Sequence, residues 1–326
     1  MSLKTSSTTL GSEVRVPGSV ANLGGGFDTL GVAVQLYLRA TIVDVRDDGG
    51  AKLVVTKSTP PVRGGNALER AFEAIARRTG RPAPTVFVEV ASDVPMAAGL
   101  GSSAAASVAG LRIFERVTGS IADSTLLAAA TDVEGHADNA APALFGGLTS
   151  VLQVEQGEPI ALRWSWPDDL RLVVATPAVG LATAKARAAL ADSMPRADAI
   201  FNLQRVLSLV HALQHREYGR IREGVKDRWH QPARASLVPL LGEVVGLKEP
   251  DVLGAFLSGA GPSVAAIARS EAASRVERLF ASMYEQAGVE ATVRILAAHD
   301  GASNAEPAER SNRAADAAAS VHGRAV

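Results

Sequence analysis

The sequence contains no cysteine. Disulfides, thiolate metal sites and a cysteine nucleophile are therefore excluded, and a reducing cytoplasm is the compartment that fits. No stretch approaches the roughly 20 apolar residues of a membrane-spanning helix. The segment Met1 to Glu13 is rich in Ser and Thr and has no apolar centre, so it does not read as a secretory signal. A long basic run is also missing, and the formal net charge is −1. Nucleic acids and membrane surfaces select clustered Lys and Arg, so neither is expected as a partner. No Gly-Lys-Ser/Thr occurs anywhere, which removes the Walker A route to phosphate binding.

What is present is an ordinary globular balance, 47% hydrophobic and 21% charged, over 326 residues. That length exceeds one ordinary core and suggests two domains. Val14 to Val16 reads as a strand that enters a Gly-rich turn at Gly24-Gly25-Gly26. The β-branched run Thr41 to Val45, the segment Lys52 to Thr56 and the segment Thr85 to Val90 read as further strands. Asn66 to Thr79 has one apolar face, Ala67, Leu68, Ala71 and Ile75, and Gly80 stops it, which predicts a helix. An Ala-rich helix is expected from Ser102 to about Val117, another over Ser124 to Glu134, and a short one from Asn139 to Gly146, before a strand ending near Val154. Leu170 to Thr176 is a strand that opens a second domain, followed by helices near 182–190, 197–215 and 218–225. Two strands flank Ser258 to Pro262, then a helix over 271–287 and a last strand over 290–296. Strands alternate irregularly with helices, which indicates α+β. The expected division is 13–166, 167–301 and an aperiodic, disordered tail over 302–326.

The sharpest local feature is Pro95-Met-Ala-Ala-Gly99-Leu100-Gly101-Ser102-Ser103-Ala104. Glycines let the backbone turn its N–H groups toward an anion, and a helix beginning at Ser102 adds the positive end of its dipole. Two alternatives compete on the residues alone. One is a plain Gly-Ser linker into a Ser-capped helix. The other is a dinucleotide fingerprint, since Gly99-x-Gly101-x-x-Ala104 fits G-x-G-x-x-A, although Ala91 to Ala98 separates it from the preceding strand.

Residues 95–105 resemble the central P-x-x-x-G-L-G-S-S-A-A motif of the GHMP kinases. The first motif of that family is similar to Val16-Pro-Gly-Ser-Val-Ala21-Asn22-Leu-Gly24-Gly-Gly26-Phe27-Asp28, and the third to Leu257-Ser-Gly259-Ala-Gly261-Pro262-Ser263. Within the family, Glu134-Gly-His136-x-Asp138-Asn139-x-Ala-Pro142, Thr183-Ala-Lys185-Ala-Arg187 and Asp227-x-x-His230-Gln231-Pro232-x-Arg234 resemble the homoserine kinases. Gly25 and Ala233 depart from the usual Pro and Tyr.

The resemblance implies a two-domain fold: an N-terminal nucleotide-binding domain of the type found in a small-subunit ribosomal protein, and a ferredoxin-like C-terminal domain. It implies ATP and Mg²⁺ as cofactors, L-homoserine as substrate, a place in threonine biosynthesis and, by analogy, a homodimer. Pro95, Gly99, Leu100, Gly101, Ser102, Ser103 and Ala104 would bind ATP, with Gly259 and Gly261 forming a further glycine loop. Glu134 with Ser102 or Ser103 would hold the metal. Arg187 and Arg234 would bind the substrate carboxylate, Asp28 its ammonium, with Asn22 orienting and Thr183 nearby. Glu134, Asn139 and Asp138 are the catalytic candidates. An amide accepts no proton near neutral pH, so Asn139 orients, while Asp138 either acts as a base or holds its loop. Another hydroxyl substrate (mevalonate, shikimate or a sugar) and an inactive nucleotide-binding homologue are the alternatives. His211 and His215 have helical i, i+4 spacing but lack the Glu of a zinc motif, and read as an exposed helix face.

Overall fold

A computed structural model describes residues 10–61 and 66–302. The disordered tail expected from residue 302 therefore lies, beyond Ala302, outside the described residues.

Two sheets organise the chain. In the first, β1 (Glu13–Ala21) runs antiparallel to β2 (Leu30–Arg46), the long strand at the centre. The sheet order is β3-β4-β2-β5-β6, with β3 at Leu53–Thr59, β4 at Thr85–Ser92, β5 at Leu148–Leu152 and β6 at Ile160–Trp164. Only β3 and β4 pair in parallel. β1 continues through Pro17 because the register shifts there, between Pro17 and Gly18, and a bulge tolerates the missing N–H.

Helices α1 (Ala67–Thr79), α2 (Ser102–Thr118), α3 (Asp123–Glu134) and α4 (Ala140–Phe145) pack together over this sheet. The start of α1 is set by Asn66, whose Oδ1 accepts from Leu68 N, and Gly80 closes it in the left-handed conformation. Leu68, Ala71, Phe72, Ile75 and Ala76 form its buried face, and Phe72 meets Phe114 of α2 edge-on at 5.2 Å.

The second sheet is antiparallel in the order β10-β7-β9-β8: Ala291–Leu296, Leu170–Pro177, Val264–Arg269 and Gly254–Leu257. One face packs on α10 (Ala273–Gln286) and α9 (Leu241–Val245) through Phe280, Tyr284, Leu241 and Val244. The other face joins a core shared with the first unit, in which Leu172, Phe256 and Ile267 meet Val20, Leu30 and Val32. Leu209 and Leu213 of α6 (Arg196–Gln214) complete it. This shared core fixes the angle of the two units, and the site lies at their junction. Residues 297–300 then cross back to the first unit. Val34 bridges Ala298, and Gly147 N donates to His299 O.

Strand β6 was not expected from sequence. It is an edge strand with mostly exposed side chains, so it carries no burial period. The five-residue helices α8 (His230–Arg234) and α9 were also not anticipated, because each is too short for a helical period. Within the stretch expected to hold helices from 182 to 225 are α5 (Thr183–Ala188), α6 and the four-residue α7 (Ile221–Gly224).

Candidate functional site

The glycine segment does not end in a capped helix. The residue preceding α2 is Gly101, at φ +70, and no side chain caps the first turn. The first N–H groups of a 17-residue helix are thus open to an anion, backed by the helix dipole. Glycine is required at this point twice over. The backbone is left-handed, and a Cβ on Gly101 would sit 2.2 Å from Ser19 Oγ. The three glycine motifs lock together here. Ser258 Oγ donates to Gly99 O at 2.6 Å, and Asn22 Nδ2 to Gly259 O at 2.8 Å. Gly259 N donates to Ala21 O at 3.1 Å. A cavity of about 210 Å³ results, lined by Gly99, Gly101, Ser102, Ser103, Ala104, Glu134, His136, Asn139, Thr183, Gly259 and Gly261. Pro95 does not line it, and the Leu100 side chain is in the core while its carbonyl accepts from Ser19 N. A second cavity of about 240 Å³ lies on the far side of Ser102 and Ser103, walled by Leu38, Pro60, Leu68, Val90 and Met96.

Glu134 is the last residue of α3 and points into the first cavity. Its Oε1 accepts from Ser103 Oγ at 3.0 Å and from Ser107 Oγ at 2.5 Å. Ser107 is fully buried. Both hydroxyls use the same oxygen, so Oε2 has no protein partner among the described residues. One free carboxylate oxygen, in a cavity that Ser102 also lines, makes with that hydroxyl a hard-oxygen donor set of the kind Mg²⁺ takes with waters and phosphate oxygens, so the residues fit that ion.

Among the described residues, one group of three ligand-type side chains converges: Asp28, His136 and Asp138. Its atoms are already committed. His136 Nδ1 lies 2.5 Å from Asp138 Oδ1, which also accepts from Asn139 N at 3.0 Å. The hydrogen bond to Asp138 raises the His136 pKa above its ordinary value. Asp138 is buried and absent from the cavity wall, with His136 in front of it. Asn139 Oδ1 accepts from Ser19 Oγ at 2.9 Å, and its Nδ2 faces Asp138 Oδ1 at 3.4 Å. Its acceptor is thereby occupied, so the amide offers the cavity a donor. His211 on α6 and His215 just past its end are exposed, and His211 Nε2 pairs with Glu217 at 3.3 Å.

A charged cluster adjoins the cavity. Both oxygens of Asp28 are held by Arg187 of α5, at 2.9 Å and 2.9 Å. That pairing raises the Arg187 pKa. Asp28 N donates to Asn22 Oδ1 at 3.0 Å, so Asn22 spends both ends of its amide on loop geometry. Arg234 of α8 is buried, and its Nε donates to Ala186 O at 3.0 Å. Its Nη1 lies 3.3 Å from His230 Nδ1 and 3.4 Å from Gly259 O. The two guanidinium groups flank the Phe27 ring, at 5.7 Å for Arg187 and 5.2 Å for Arg234.

His230 was only a motif letter in the sequence, and it proves to be the support for Arg234. Its Nε2 lies 2.8 Å from Gly24 O, which can only accept, so Nε2 carries the proton and Nδ1 receives Arg234. Burial lowers its pKa from 6.5, against the opposing pull of Asp227. The unfolded chain therefore binds more protons than the fold just below pH 6.5, and stability falls as pH drops through that value, by at most about 1.4 kcal/mol per pH unit. Denaturant midpoints between pH 7 and 5 should fall further for the wild type than for His230→Gln. Parallel curves would remove His230 as the source.

Residues 66–147 match the model of the GHMP kinases N terminal domain, and residues 209–286 that of the GHMP kinases C terminal domain. The homoserine kinase of Desulfitobacterium hafniense is 34% identical over 288 residues, covering 87% of this chain and 96% of that protein. The homoserine kinase of Thermus thermophilus is 37% identical over 258 residues, 78% of this chain and 86% of that one. Among solved structures, a homoserine kinase from Cytophaga hutchinsonii superposes with a TM-score of 0.76 at 24% identity, over 89% of this chain and 96% of that chain. A mevalonate kinase of L. major in complex with R-mevalonate superposes at 0.66 and 17% identity, over 89% of this chain and 97% of that chain.

Proposed function

Because the chain belongs to the GHMP kinases, among the homoserine kinases, we infer that it transfers the γ-phosphoryl of ATP to the side-chain hydroxyl of L-homoserine, giving O-phospho-L-homoserine and ADP. The observation that carries the substrate is the cluster of one carboxylate and two guanidinium groups at the edge of the phosphate cradle. A free α-amino acid presents the complementary pair of charges. Mevalonate and sugars present no ammonium for Asp28, and the uncapped start of α2 serves phosphates rather than a dinucleotide fingerprint leaving a strand. We assign residues 13–166 to the nucleotide half and 167–301 to the other, with substrate between them.

The division of labour follows from the geometry. The open N–H groups of α2 and the Gly99–Gly101 backbone receive phosphate oxygens. The apolar second cavity takes the nucleoside. Glu134 Oε2 with Ser102 would hold Mg²⁺, which when bound neutralises phosphate charge. Ser103 and Ser107 keep the Glu134 carboxylate turned so that Oε2 faces the cavity. Asn139, fixed by Ser19, donates to the transferring phosphoryl group or the substrate hydroxyl. Thr183 lines the same space.

Among the described residues, Glu134 Oε2 is given to Mg²⁺ in this reading and Asp138 is covered by His136 and Asn139, which leaves no carboxylate for the reacting hydroxyl. The hydroxyl proton then passes to a phosphate oxygen as the new bond forms, which a loose transition state tolerates. Asp138→Asn should therefore lower kcat by less than about 10²-fold, the lower end of what a lost general base costs. A larger fall, with folding and both substrate affinities intact, would make Asp138 the base.

The direct test is ADP release with Mg-ATP across L-homoserine, threonine, serine, mevalonate and shikimate. L-homoserine should turn over best. Good turnover of mevalonate with none of homoserine would overturn the substrate, and no turnover of any would favour an inactive nucleotide-binding homologue.

A further inference from the structure

The groups assigned to the two charged ends of the substrate hold each other in the free protein. We propose that the Asp28–Arg187 pair is an exchange lock: a ligand enters by replacing this one pair with two, its ammonium on Asp28 and its carboxylate on Arg187, so that a ligand carrying either charge alone is rejected. The proposal rests on the homoserine reading given above and explains how that site would select zwitterions.

Four observations carry it. The pair is a two-bond fork, both bonds at 2.9 Å, which is the strongest geometry available to Arg and a carboxylate. It is reachable from solvent, with 38% of the Arg187 side chain and 34% of the Asp28 side chain exposed. Asp28 is the fixed partner. Its φ is +51, and its N–H is tied to Asn22 Oδ1, itself tied to Gly259. Arg187 is the partner on a short, partly exposed element. It sits on the six-residue α5, whose first residues, Thr183 to Lys185, are exposed. Nearby, α5 is held by Arg234 Nε on Ala186 O and by Leu181 N on Ala97 O.

The count of pairs decides the selectivity. A zwitterion ends with two ion pairs where there was one. An anion without an ammonium trades the Arg187–Asp28 pair for an Arg187–ligand pair and leaves Asp28 unpaired. A cation without a carboxylate leaves Arg187 unpaired near the like-charged Arg234, both guanidinium groups lying close to the Phe27 ring. Beyond the Arg234 contact, which is open to any carboxylate, neither single-charge ligand gains a pair, and each strands a charge in a partly desolvated site. Two independent subsites would behave differently, each ligand retaining the contacts of the end it keeps.

The experiment uses γ-hydroxybutyrate, which is homoserine without its ammonium, and aminopropanol, which is homoserine without its carboxylate. Their Kd values are measured by calorimetry with non-hydrolysable Mg-nucleotide present, on the wild type and on two variants. Asp28→Asn frees Arg187 and should tighten γ-hydroxybutyrate by roughly three- to tenfold while weakening L-homoserine by at least about tenfold. Arg187→Gln frees Asp28 and should tighten aminopropanol by a similar factor. Unchanged or weaker analogue binding in a variant that keeps the wild-type Tm would overturn the lock, and either variant suffices if the other fails to fold. The analogue shifts are read without turnover. A wild type that does not phosphorylate L-homoserine would therefore overturn the proposed function, while the shifts separately decide the lock.

Discussion

Glu134→Gln is expected to lower kcat by roughly 10²–10³-fold, the scale of losing one group that meets developing charge in a transition state. The substitution is chosen because it spares the surroundings. An amide oxygen still accepts from Ser103 and Ser107, the two hydroxyls that hold Oε1. What changes is the free oxygen, which becomes a neutral NH₂ unable to bind a cation. Three measurements separate this from a packing effect. Tm should stay near the wild-type value. The Mg²⁺ concentration for half-maximal rate should rise. L-homoserine affinity should change little, since its charge partners lie elsewhere. A kcat within a fewfold of wild type would remove Glu134 from the metal and the reaction together.

Arg234→Ala is expected to weaken L-homoserine by about 2–5 kcal/mol, the cost of truncating one member of a buried charge pair. At about 1.4 kcal/mol per decade this is a loss of roughly 30-fold to several thousandfold. The side chain is buried almost completely, so its removal also strands neighbours. Ala186 O, Gly259 O and His230 Nδ1 each lose a donor. Arg234→Lys separates charge from shape. It keeps the cation but loses the planar fork, and should recover only part of the affinity. ATP affinity should be nearly constant across both variants. An unchanged KM for L-homoserine would reduce Arg234 to a structural arginine of α8, and an equal loss for ATP would move it to the nucleotide side.

The glycine segment, α1 and the strands of the first sheet other than β6 were legible because each writes a strong local signal. Asn66 and Gly80 bracket a 3.6-residue period, and Gly99 and Gly101 occupy left-handed backbone that few residues tolerate. The motif letters also located the charged cluster. Their partners were less visible. Nothing in the sequence said that Asp28 would be engaged by Arg187, 159 positions away, in the absence of substrate. Ser19 and Ser107 escaped notice for a related reason. Each is one hydroxyl among small and apolar neighbours, on a strand and inside a helix, where serine has no local preference to announce itself. Their importance comes from what lies across the space they face, Asn139 and Glu134. His136 was only a motif letter in the sequence; it bonds Asp138 and also stands in the cavity wall in front of that carboxylate. Local pattern identifies the groups with unusual backbone or strong charge. It does not identify the hydroxyls that aim them.

The strap of residues 297–300 bears on how the protein is made. Val34 in the long central strand waits for Ala298, Gly147 waits for His299, and Asn22 waits for Gly259, 237 residues later. On a ribosome the first sheet and its four helices emerge early, with a self-contained core to collapse around. The phosphate cradle does not emerge with them. Gly99 and the Asn22 loop are finished by segments near the other end of this sequence. Such distant pairings slow folding, because the intervening chain must be ordered before the contact repays it. A nascent chain of this protein would therefore hold a folded first half with an unfinished nucleotide site, unable to bind ATP productively until the second sheet has docked.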